Sequence, residues 1–140
     1  MARSALFAAL VMWVLPTGGA PSLLGEWRGT STCTNLELVP GCHDEVIRYR
    51  FEAPTPGAKL VHLKADKLVN GSFELMYELD LAASEPPGAW TAALTAPRMN
   101  GKWSYRIDNG ALVGSLTLAP SNAEVRKVAA TRPGVDAGAR

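Results

Sequence analysis

The chain is poor in the residues that most often carry chemistry, with two cysteines and two histidines among 140 residues. His43 follows the second cysteine directly, and His62 sits in an alternating stretch on the parity of Leu60 and Lys64, the expected solvent side. No catalytic triad order and no paired catalytic carboxylates emerge, so the reading is of a protein without catalytic residues or cofactor. An excess of one charge is missing too, since 14 basic residues face 13 acidic ones. That balance leaves no electrostatic footprint for nucleic acid or anionic lipid. There is one long apolar run, residues 4–15, which falls short of the ~20 residues a membrane-crossing helix needs. No helical heptad occurs anywhere.

What is there begins with an address. A charged start at Arg3, the apolar run and the small-residue exit Pro16-Thr17-Gly18-Gly19-Ala20-Pro21-Ser22 read together as an export signal over residues 1–22. Pro21 obstructs cleavage after Ala20, so cutting after Ser22 is expected, leaving a neutral mature chain bound for the periplasm or secretion. Cys33 and Cys42 agree with that destination, because an even cysteine count in an exported protein points to a disulfide. Two sulfurs at this spacing with His43 and Asp44 match no strong zinc pattern, so no metal is expected.

From Gly25 onward the pattern has period two and is broken at short intervals by turn residues. The expected strands are residues 25–33, 45–52, about 59–69, one from Phe73 to Leu81, one carrying Trp90, Ala92 and Leu94, one carrying Trp103, Tyr105 and Ile107, one carrying Leu112, Leu116 and Leu118, and about 124–131. Asn70-Gly71 and Asp108-Asn109-Gly110 are hairpin signals. A change of parity in the third strand predicts a bulge near Asp66-Lys67. Residues 96–100 read as a loop, and 132–140 as a tail with too little apolar content to stay ordered. Eight strands joined by short links predict one all-β domain over 23–131, an antiparallel up-and-down barrel that removes both sheet edges by closure.

Strands near eight residues with mid-strand aromatics do not fit an outer-membrane barrel, so the apolar face is expected inside and the chain not embedded in a membrane. That face carries Trp27, Ile47, Tyr49, Phe51, Leu63, Phe73, Leu75, Tyr77, Leu79, Trp90, Leu94, Trp103, Tyr105, Ile107, Leu112 and Leu116. A barrel of eight strands is wide enough either to be filled by such side chains or to hold one small ligand. Arg48, Arg50, Lys102 and Arg106 fall on the outer face.

Gly25-Glu26-Trp27 at the start of the first strand resembles the Gly-x-Trp signature of lipocalins and related small barrels. The resemblance implies that Trp27 plugs the closed end beneath a basic side chain of the last strand, with Arg126 as that cover and Lys127 as the alternative, since guanidinium stacks well on indole. No Tyr follows Trp27 and nothing resembles the long helix that follows the barrel in typical lipocalins. The chain also resembles small periplasmic inhibitors of secreted metalloproteinases in size, single disulfide and barrel form, which implies a free amino-terminal trunk, Ser22-Leu23-Leu24 or shorter, that enters a protease. The expected role is therefore binding of a small apolar molecule by Tyr49, Phe51, Tyr77, Trp90, Trp103 and Tyr105, where buried tyrosine hydroxyls supply polar handles. The alternative is a protein-binding module with a protease as partner.

Overall fold

A computed structural model describes residues 23–85 and 88–134. The expected export signal, residues 1–22, and residues 135–140 of the expected tail lie outside the described residues. Eight strands form one closed antiparallel barrel in chain order: β1 (Gly25–Cys33), β2 (Glu45–Glu52), β3 (Leu60–Val69), β4 (Ser72–Ala83), β5 (Trp90–Ala96), β6 (Met99–Asp108), β7 (Ala111–Leu118) and β8 (Ala123–Thr131). β8 returns to pair with β1, from Arg28↔Thr131 to Cys33↔Arg126. The result is an up-and-down barrel of lipocalin-like shape, as the period-two pattern required.

Turn chemistry sets the meander. Asn70-Gly71 and Asn109-Gly110 all take positive φ (50°, 83°, 50° and 78°), which matches the right-handed twist of the strands they join. Residues 96–100 are tighter than expected, since Ala96 pairs with Met99 and leaves only Pro97-Arg98 in the turn. Alternation then divides the barrel at its foot from its rim. The links 53–59 and 109–110 and the residues 84–85 and 88–89 share the foot with both ends of the described wall, and the links 34–44, 70–71, 97–98 and 119–122 form the rim.

Two bulges set which residues face inward. The register shifts between Ala65↔Tyr77 and Asp66↔Leu75, so the extra residue is Met76 of β4, opposite the expected position on β3. Rimward of it the parity of β4 flips, and this corrects two members of the expected lining. Leu75 is 56 % exposed, and Phe73 pairs with exposed Leu68 on the outer wall. There the guanidinium carbons of Arg48 and Arg28 lie 4.8 and 5.4 Å from the Phe73 ring centroid. Arg48 and Arg50 also bond Asp66, which they bury, at 2.9 and 3.1 Å. The second shift, between Leu116↔Arg126 and Thr117↔Glu124, leaves Val125 as the extra residue of β8.

The core is the barrel interior. Trp27, Ile47, Tyr49, Phe51, Leu63, Leu81, Tyr105, Leu112 and Val128 are all buried there, whereas Arg28, Lys102, Arg106 and Lys127 face out. Charge in mid-strand on the outer wall is the reverse of a lipid-facing surface. Among the described residues no helix is long and apolar enough to cross a membrane.

Candidate functional site

At the foot, Trp27 is buried, and its indole N–H donates to the Leu23 carbonyl at 2.8 Å. The cation above it is Arg132, whose guanidinium carbon lies 4.0 Å from the ring centroid. This corrects the expected Arg126 cover. β8 descends from rim to foot, so Arg126, six residues earlier, is about 20 Å away at ~3.3 Å per residue; Lys127 faces solvent. Arg132 also donates to the Leu24 carbonyl. Gly25, at φ +108°, has no Cβ to obstruct it: one built there would stand 2.7 Å from an Arg132 nitrogen. Glycine two residues before the tryptophan thus makes room for the covering cation. Leu23 and Leu24 are held against the barrel by these bonds and do not project as a trunk; Ser22 lies outside the described residues.

At the rim, Cys33 and Cys42 form a disulfide (S–S 2.01 Å, Cα–Cα 6.0 Å). Asp44 accepts from the Cys33 amide at 2.8 Å, and His43 is exposed. No group of three or more His, Cys, Asp or Glu among the described residues is arranged to hold a metal ion. Arg126 reaches inward beneath the disulfide. It donates to Cys42 Sγ and the His43 carbonyl at 2.9 Å each and to Ser31 Oγ at 3.0 Å, and it stands 3.7 Å from Glu45.

Between foot and rim lies an aromatic column. Tyr77, Trp103 and Tyr105 stack in that order, with centroids 5.6 and 5.8 Å apart, and Tyr105 meets Tyr49 and Phe51 edge to face at 5.8 Å each. Gly114 of β7 gives Tyr105 its place, because a Cβ there would stand 2.6 Å from the tyrosine ring. The Tyr49 and Tyr77 hydroxyls are 3.2 Å apart, and the Tyr105 hydroxyl is buried with no hydrogen-bond partner. Burial pushes all three phenols above their ordinary range, so each keeps its proton at neutral pH.

The six expected ligand-binding residues therefore divide. Tyr49, Phe51 and Tyr105 have essentially no exposed surface and belong to a packed core. Tyr77 and Trp90 are half-buried, and Trp103, at 5 % exposure, joins them to that core. The cause is a parting of the wall. β4 and β5 pair only at Ala82↔Thr91 and Ala83↔Trp90, at the foot. Above that point the facing strands carry half-buried inward residues, Tyr77 and Leu79 on β4 and Ala92 and Leu94 on β5. Ile47, Tyr49 and Phe51 of β2 and Val61, Leu63 and Ala65 of β3, by contrast, are fully buried. The seam had no signature in the pattern, because Phe73 to Leu81 and Trp90 to Leu94 show the same apolar alternation as strands paired along their whole length. Surface grooves of about 350 Å³ beside Arg106 and Lys127 and about 470 Å³ beside His43 and Lys67 are lined by none of the six.

No protein-family model matches this chain, and no curated protein matches its sequence.

Proposed function

We propose that this protein is an exported, non-enzymatic binding barrel that takes a small, flat, apolar molecule through the β4–β5 seam. The observation that carries this reading is the half-burial of Tyr77, Leu79, Trp90, Ala92 and Leu94 where the ladder between their strands stops. Apolar side chains facing inward yet touched by solvent gain from being covered, at roughly 25 cal/mol per Å². Stacking on the Tyr77–Trp103 pair favours a planar occupant. The bound molecule lies at the seam, against the packed side chains Tyr49 and Phe51. Export is supported by the disulfide and by the leader-like residues 1–22.

The protease-inhibitor reading draws no support from the amino-terminal end, where Leu23 is buried and bonded to Trp27. Titration of the mature protein with Nile red tests the seam. Saturable binding at micromolar concentrations is expected, with a change in tryptophan emission from Trp90 and Trp103. Ala92→Trp, which fills the seam, is expected to abolish it. Absence of saturation, or equal binding by A92W, overturns the proposal.

A further inference from the structure

Three hydroxyl groups converge inside this barrel from three different strands, Tyr49 on β2, Tyr77 on β4 and Tyr105 on β6. Tyr49 and Tyr77 are within hydrogen-bonding distance at 3.2 Å, and the Tyr105 hydroxyl lies close enough to interact with both without reaching hydrogen-bond geometry. The Tyr105 hydroxyl is left unsatisfied although no water-accessible surface remains on the residue. An orphaned hydroxyl in a core is costly, whereas phenylalanine at the same place would carry no such penalty. Tyr105 also meets Tyr49 edge to face and stacks on Trp103, which in turn stacks on Tyr77.

From this geometry we infer that the tyrosine cluster is a polar handle for a single neutral oxygen acceptor, a carbonyl or ether, on an otherwise apolar aromatic ligand. The inference rests on the seam-binding reading above. The oxygen enters past Tyr77, the member of the cluster that stands on the parted wall, and accepts from the Tyr105 and Tyr77 hydroxyls. A carboxylate is disfavoured for two reasons. The nearby guanidinium of Arg126 is already matched by Glu45 and by the Ser31, Cys42 and His43 atoms it bonds. A full negative charge taken into this interior would also lose its hydration without gaining a counterion.

The experiment compares benzophenone, diphenylmethane and diphenylacetate by calorimetric titration of the mature protein and its Tyr105→Phe variant. Benzophenone is expected to bind the wild type about three- to tenfold tighter than diphenylmethane, the worth of a neutral hydrogen bond. In Y105F that advantage disappears while diphenylmethane binding is unchanged. The variant, losing no hydrogen bond, melts at or above the wild-type temperature. Equal preference for the ketone in both proteins, tightest binding of diphenylacetate, or a marked fall in the melting temperature of Y105F overturns the handle and leaves the seam reading standing. Failure of all three compounds to bind overturns both.

Discussion

At the scale of single residues, His62 shows how far a surface side chain departs from its reading as a merely solvated group. Its Nε2 and Nδ1 lie 2.9 Å from Glu78 and 2.8 Å from Asp80 on β4. Across the ladder it pairs with Glu52 of β2, which is 3.9 Å from Lys64. The Glu78 and Asp80 bonds raise its pKa above 6.5. A raised folded-state pKa contributes stability that is fully present below 6.5 and is lost as pH rises through the folded value. The pair partners are well exposed, so the contribution stays below ~1 kcal/mol. Wild type is therefore expected to melt above His62→Gln at pH near 6 and to converge with it by pH near 9, as thermal denaturation across that range will show. An offset independent of pH would remove the ion-pair account. Parity placed His62 on the outer wall from sequence alone, but the carboxylates flanking it required the register of β3 with β4. The cover of Trp27 was likewise half legible. The resemblance carried by Gly25-Glu26-Trp27 implied a covering cation, whereas its identity depended on which end of β8 lies at the foot.

At the scale of elements, the strands were legible because inside and outside alternate so strictly. Both β1 and β2 begin and end where the pattern places them, and the asparagine–glycine turns close as their chemistry demands. The parity change near Asp66 was visible as well. Its owner was not, since a bulge on either strand produces the same mismatch and only the pairing shows that Met76 is the additional residue. Phe73 and Leu75 changed sides for that reason. The rim loop 34–44 depends on its cross-link and its local bonds, with the Leu38 and Val39 amides donating to Asn35 and the Thr34 amide to the Val125 carbonyl. Closing a loop of about ten residues is worth ~3 kcal/mol or a little less on the chain-entropy account. Urea denaturation with and without reductant is expected to differ by about that amount. Coincident transitions would show that the loop is held by its other bonds alone.

At the scale of the whole molecule, the closed barrel has one weak join. The β4–β5 ladder spans two residue pairs, whereas β3 and β4 share pairs from Leu60↔Ala82 to Val69↔Ser72. Cooperative units open first where fewest buried contacts and ladder bonds must be broken. Amide exchange in β5, from Ala92 to Ala96, is expected to outpace that of β2 by at least an order of magnitude and to slow when an occupant fills the seam. Uniform protection around the barrel would contradict a parted wall. This feature lay beyond the sequence, because strand spacing above a hairpin depends on barrel tilt and side-chain bulk together.

Trp27 anchors more than the bottom of the core. Leu23 and Arg132 both hold the indole, and Arg132 also donates to the Leu24 carbonyl, so the first and last parts of the described wall meet at the foot. Leu36 and Leu38, 58 % and 55 % exposed on the rim loop, stand at the opposite extremity of the barrel from this anchor.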